Sequence, residues 1–169
     1  MSHDRIAPCG GADVSLRQPV ASDHQLARLL QIGIVLEEVV EARAAKHATA
    51  TEGELRDLLE DASAESADHR RRLEALVDDL DADTVPFEEI QTLVEAQYEA
   101  DQDFDGVLYD QLCNEETAYK FYDDLIESIQ ASETAFGVDR QRLLDVLATI
   151  REEEAEGVEE VTELMEEHQ

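Results

Sequence analysis

A chain of 169 residues with 43 % hydrophobic side chains is long enough for one domain with a sizeable core and too apolar to stay a disordered polymer. Its 43 acidic residues against 13 basic ones give a formal charge of -30, which repels nucleic acid and anionic membranes. No window of about 18 apolar residues offers a membrane span, the N-terminal stretch lacks the apolar segment of a signal peptide, and two cysteines, Cys9 and Cys113, make no disulfide framework, so a reducing cytoplasm is the expected compartment.

Residues 1–21 hold Pro8, Gly10, Gly11 and Pro19 without periodicity and read as a flexible N-terminal arm. Ser22 followed by Gln25 is a capping box, and it opens a helix that runs to about Ala48. Thr51 with Glu54 repeats the signal for a second helix, to about Leu80. Pro86 breaks the pattern, and a shorter helix follows over 87–100. After "DQDFDG" a third long helix covers 106–132, and Asp139 caps the last one over 140–167. No strand-like alternation occurs anywhere. Each long helix spans about 40 Å at about 1.5 Å per residue. The short links between helices 1 and 2 and between helices 3 and 4 make antiparallel hairpins, whereas the link between helices 2 and 3 is long. The expected fold is all-α, an antiparallel four-helix bundle over 22–169 whose long crossover contains the short helix.

Polar residues intrude on the apolar stripes of these helices. The third helix carries Leu108, Leu112, Glu115, Tyr119, Tyr122, Ile126 and Ile129, and the second carries Ala62, Ser66, His69, Leu73, Leu76 and Leu80. The fourth carries Leu143, Leu147, Ile150, Glu154, Gly157 or Val158, Val161 and Met165. Helix 1 is apolar over a wide arc, and its best stripe is Leu26, Leu30, Gly33, Glu37, Val40, Ala44 and His47, with Glu38 and Glu41 as alternatives. An arc this wide calls for burial on two sides, hence a homo-oligomer, a dimer or larger. Taken singly, His69 reads as an ordinary satisfied core histidine. Glu37 and Glu154 lie in glutamate-rich runs where any register brings one inward. Glu115 is the most telling, because apolar neighbours fix its register and a lone buried carboxylate is costly unless paired, neutralised or bound to a metal. Antiparallel packing brings Glu37, His69, Glu115 and Glu154 to one level, and a Glu/His set suits a first-row transition metal.

On these residues the chain resembles the ferritin-like superfamily, especially its rubrerythrin and bacterioferritin branch. "Glu115-x-x-Ala118-x-x-x-Tyr122" is similar to the family's first and third helices, "His69-Arg-Arg-Arg-Leu73" to the end of its Glu-x-x-His helix, and "Glu154-Ala-Glu-Gly157-Val-Glu-Glu-Val161" to its fourth helix. The family pattern has Glu where this chain has Ser66 and His where it has Gly157, with Glu65 as the neighbour able to substitute. The resemblance implies iron or manganese held by Glu37, Glu65, His69, Glu115 and Glu154, and a role in metal handling or oxidative-stress protection. It also implies ferroxidase- or peroxidase-type di-metal chemistry, which the altered ligand set puts in question. The alternative is a non-enzymatic helical interaction module with a degenerate site. Eleven arginines against two lysines within so acidic a composition also resemble the proteins of salt-loving archaea.

Overall fold

The computed structural model describes residues 18–80, 82–84, 86, 88–89 and 106–167. Among them are four long helices and no strand: α1 (Asp23–Ala48), α2 (Gly53–Asp78), α3 (Val107–Gln130) and α4 (Arg140–Glu167). The short helix expected over 87–100 lies almost wholly outside the described residues, although Glu88 and Glu89 are helical.

The helix starts follow their local chemistry, with one exception. Ser22 Oγ accepts the Gln25 amide at 3.1 Å, and Gln25 Oε1 reaches back to the Ala21 amide at 2.7 Å, so the first capping box forms one residue wider than the usual pattern. Asp139 caps α4 by accepting the Arg142 amide at 2.9 Å. Thr51, expected to cap α2, instead donates to the His47 and Ala48 carbonyls at 3.2 and 3.3 Å. The residue at the α2 N-cap is Glu52, whose side chain makes no cap bond. The turn is short, and the bare carbonyls ending α1 lie nearest the Thr51 hydroxyl. Gly53 then redirects the chain with a φ of +65°, a conformation glycine adopts at little cost.

α1 packs on α2 and α3 on α4, and the two hairpins face each other through α1 with α3 and α2 with α4. Cross-contacts fix the directions. Along α1 and α3, Val20 meets Ser128, Glu37 meets Tyr122, and His47 meets Asp110. Along α2 and α4, Asp79 pairs with Arg142 and His69 with Glu153. Facing helices are therefore antiparallel. The end of α2 stands beside the start of α4, and the start of α3 stands beside the end of α1.

The main apolar core fills the half of the bundle holding the α3–α4 turn. Leu26, Leu30, Leu73, Leu76, Leu125, Ile129, Leu143, Leu147 and Ile150 are all fully buried there. Residues 20 and 21, expected to belong to the arm, are latched to this half. The Val20 amide donates to Ser128 O at 3.2 Å, Ser132 Oγ donates to Val20 O at 2.5 Å, and Val20 is 1 % exposed. Arg140 closes the turn by donating to the carbonyls of Ile129, Ser132 and Thr134.

Several stripe positions differ from expectation. Leu108 and Leu112 are only half-buried, and Asp110, Gln111 and Asn114 are buried instead at the start of α3. Two further positions shift by one helical step. Tyr119 is exposed, the one exposed large hydrophobic among the described residues, and the inner face of α3 steps from Glu115 to Ala118 to Tyr122. On α4, Leu164 is buried in place of Met165. A helical stripe advances by three or four residues at each step, and in both places the sequence offers an apolar residue at either step.

Candidate metal centre

One polar layer crosses the interior beyond this core. α1 contributes Glu37, α2 His69, α3 Glu115 with Tyr122, and α4 Glu154, and each of the five is at most 5 % exposed. His69 is the hub. Its Nδ1 lies 3.1 Å from Glu154 Oε2 and 3.3 Å from Glu37 Oε2, while its Nε2 lies 2.8 Å from Glu153 Oε1. Tyr122 donates its phenol to Glu37 Oε2 at 2.5 Å, and Gln111 donates its amide to Glu115 Oε2 at 2.8 Å. The Glu154 carboxyl lies within hydrogen-bonding reach of both Glu115 and Glu37.

The structure thus brings together Glu37, His69, Glu115 and Glu154. It also selects Glu37 among the α1 candidates, since Glu38 is only half-buried and Glu41 is engaged by Arg70 at 3.0 Å. Glu65 stands apart from the inner group. It joins His69 and Glu153 in a second, outer grouping whose ligand atoms lie within 4.8 Å of one another, as those of Glu37, His69 and Glu154 do in the inner one. Ser66 is buried beside His69 on α2, so Glu65 falls to the flank of the helix.

Burial and mutual charge set the protonation of the layer. Burial raises the Glu115 and Glu154 carboxyls, Glu154 strongly, and the nearby Glu37 charge adds to both. The two carboxyls therefore hold a proton more readily than free carboxylic acids do. Burial opposes a charge on His69, but its bonds to Glu37 and Glu153 prevail and push it up to about 9. Burial likewise lifts Glu65 to about 7 and, with the Glu37 charge behind it, holds the Tyr122 phenol firmly protonated. An imidazolium among carboxylates balances the layer by placing a positive charge between Glu37 and Glu154.

Does the donor set fit a metal ion? Glu37 Oε1 is fully buried and has no hydrogen-bond partner among the described residues, a costly arrangement for a carboxylate oxygen. Glu37, Glu154 and His69 each offer a ligand atom within 4.8 Å of the others, so oxygen and nitrogen donors converge from three helices. A divalent cation held by these residues would take the place of the His69 proton. With one imidazole and three inner carboxylates, the set fits a single ion and lacks the second histidine of a symmetric pair.

Glu153 and Gln111 were not apparent from the sequence. Glu153 is one of three consecutive glutamates and carries no signal of its own. Gln111 is recoverable in principle, because a residue four positions before a buried helical carboxylate is placed to bond it. Tyr122, expected as core filler, is a hydrogen-bond donor whose phenol needed a buried partner.

An open cleft of about 130 Å³ lies between α2 and α4 beside the layer, and Asp61, Glu65, Glu115, Glu153, Gly157 and Glu160 are among its lining residues. Among the described residues no helix is long and apolar enough to cross a membrane. Comparison with protein-family models, curated proteins and solved structures finds no match for the chain.

Proposed function

We propose that this chain is a ferritin-like metal-binding protein of the cytoplasm that holds one iron or manganese ion at Glu37, His69 and Glu154, with Glu115 beside them. The observation that carries the reading is the buried triad with its unpartnered Glu37 Oε1. Fold direction supports it as well. α2 ends at one end of the bundle and α3 begins at the other, as a ferritin-like bundle with a long crossover requires. When bound, an iron or manganese ion supplies one-electron redox chemistry, which suits metal handling or protection from oxidants. The chain's own residues fix the ion's environment. Tyr122 orients Glu37, Gln111 orients Glu115, and Glu153 holds the outer nitrogen of His69.

Metal content after purification without added metal, followed by anomalous diffraction from a manganese-soaked crystal, tests the reading. The expected result is about one ion per chain, since the donor set serves one. Anomalous density at Glu37, His69 and Glu154 supports it, and density absent there refutes it. The rival, a helical interaction module with a degenerate centre, is favoured by Ser66 and Gly157 in the layer and gives no ion in either measurement. The wide apolar arc of α1, with Leu29, Ile32, Ile34 and Val39 only partly buried, supports assembly into a dimer or larger oligomer. The net charge of -30 supports a salt-adapted protein, whose melting temperature is expected to rise with potassium chloride to molar levels as screening relieves repulsion.

A further inference from the structure

α4 presents no side chain to the polar layer at one position, Gly157. A Cβ placed there would lie 2.6 Å from Glu115 Cδ and Oε1 and 2.8 Å from Oε2, closer than real atoms approach. The Glu115 carboxyl group therefore fills the space in front of the Gly157 backbone. That space has two neighbours. On the outer side Glu115 and Gly157 line the cleft between α2 and α4, with Glu65, Glu153, Glu156 and Glu160. On the inner side Glu115 lies within hydrogen-bonding reach of Glu154, a member of the triad. Glu37 and His69 are 0 % exposed, so solvent has no direct way to them. The unpartnered Glu37 Oε1 stands within the layer as an open donor.

We propose that Gly157 is the port of the centre. By carrying no side chain, it leaves Glu115 as the first buried ligand that a divalent cation meets on its way from the acidic cleft to Glu37, His69 and Glu154. The inference rests on the metal-binding reading and adds the route. The cleft carboxylates concentrate cations at the port, since a groove lined by one sign of charge raises the local counter-ion concentration. A methyl group at 157 cannot coexist with the Glu115 carboxyl where it lies, so the substitution itself displaces that ligand from the port. The port is a feature of rate: the triad that binds the ion does not include residue 157.

Stopped-flow mixing with cobalt(II) chloride, followed through the visible bands of the bound ion, tests the port in the full chain. Gly157→Ala is expected to bind the ion at equilibrium but to take it up roughly tenfold more slowly or worse, because the displaced Glu115 carboxyl no longer receives the ion where the cleft meets the layer. Alanine favours a helix, so circular dichroism is expected to match the parent chain. Glu156→Gln/Glu160→Gln changes two exposed residues without touching the layer. Its uptake is expected to slow severalfold with unchanged final occupancy. A parental rate in either variant overturns the port. So does a Gly157→Ala chain that binds no cobalt at equilibrium, since Gly157 then acts by holding Glu115 in place. A parent chain that binds no cobalt refutes the metal-binding reading itself, and the port with it.

Discussion

The two halves of the bundle are built from opposite materials. Beside the α3–α4 turn, Leu26, Leu30, Leu73, Leu76, Leu125, Ile129, Leu143 and Leu147 close a continuous apolar core. Toward the α1–α2 turn the buried set changes to Glu37, Ser66, His69, Asp110, Gln111, Asn114, Glu115 and Glu154, with Leu59, Val161 and Leu164 beyond. The first half stabilises by removing apolar surface from water, a term proportional to area and indifferent to pH. The second buries charge and must offset the loss of hydration through hydrogen bonds and bound protons. The same helices run through both, so the apolar half can hold the polar one in a geometry it would not keep alone. Asn114 illustrates the cost. It is fully buried, and neither amide atom has a hydrogen-bond partner among the described residues.

The sharpest break in this contrast comes from single substitutions in metal-free protein. Leu76→Ala or Leu147→Ala, each truncating a fully buried side chain, is expected to cost about 2–5 kcal/mol through lost burial and a cavity. Glu115→Gln keeps the shape and relieves crowding among Glu37, Glu115 and Glu154, so chemical denaturation is expected to show no loss of stability or a slight gain. A loss comparable with that of the leucines would mean the polar half is structural in the same sense as the core.

Adding an ion sharpens the contrast in the other direction. Manganese(II) at a hundredfold excess over its dissociation constant is expected to stabilise the parent chain by about 2.7 kcal/mol, because it binds the folded state alone. The gain is expected to vanish in Glu37→Gln and in His69→Gln and to persist in Leu147→Ala, as thermal melts with and without the ion will show.

pH separates the halves next. Glu65, raised from 4.5 to about 7, and Glu115 and Glu154, raised from the same value, bind their protons more tightly folded than unfolded. Their contribution is whole below 4.5 and is lost as pH rises through their folded values. His69 moves from 6.5 to about 9, so its contribution is whole below 6.5 and is lost by about 9. All four have the same sign, and the metal-free melting temperature is expected to fall from about pH 5 to about pH 9. The stabilisation by manganese(II) is expected to grow over the same window, because the ion needs the ligands without their protons. His69→Gln is expected to flatten the upper part of the metal-free curve.

The smallest expected effect lies at the turn beside the polar half. Thr51→Ala removes hydroxyl bonds to two carbonyls of α1 and is expected to cost about 0.5–1 kcal/mol. Glu54→Ala is expected to cost nothing measurable, since no capping box forms there; equal losses would restore it.

The helices were legible because their signals are local. Ser22 with Gln25 and Asp139 before Arg142 each satisfy amides within one turn, and the periodic leucines fix which face turns inward. Thr51 was misread for a reason that is not local: its hydroxyl had two helix ends within reach, and the chosen one depends on how the turn folds back. The layer was legible in outline because Glu37, His69, Glu115 and Glu154 each interrupt an apolar stripe. Its details were hidden. Glu153 bonds His69 from a half-exposed position that no periodicity marks, and Glu65, turned by about 100° from the Ser66 position, groups with His69 and Glu153 on the outer side of the layer. The role of Gly157 depends on where the Glu115 carboxyl lies, which is a matter of packing between helices.

The latch at Val20 bears on the order in which the molecule assembles. Each helical hairpin closes through contacts between chain neighbours, but the Ser132–Val20 bond joins residues 112 apart. It forms only when the first hairpin has come to rest on the second. The Val20 amide, donating to Ser128 O, lies outside every helix and owes its shelter from hydrogen exchange to that encounter alone. Its exchange rate is thus a clock for hairpin docking, readable while the helices themselves remain intact.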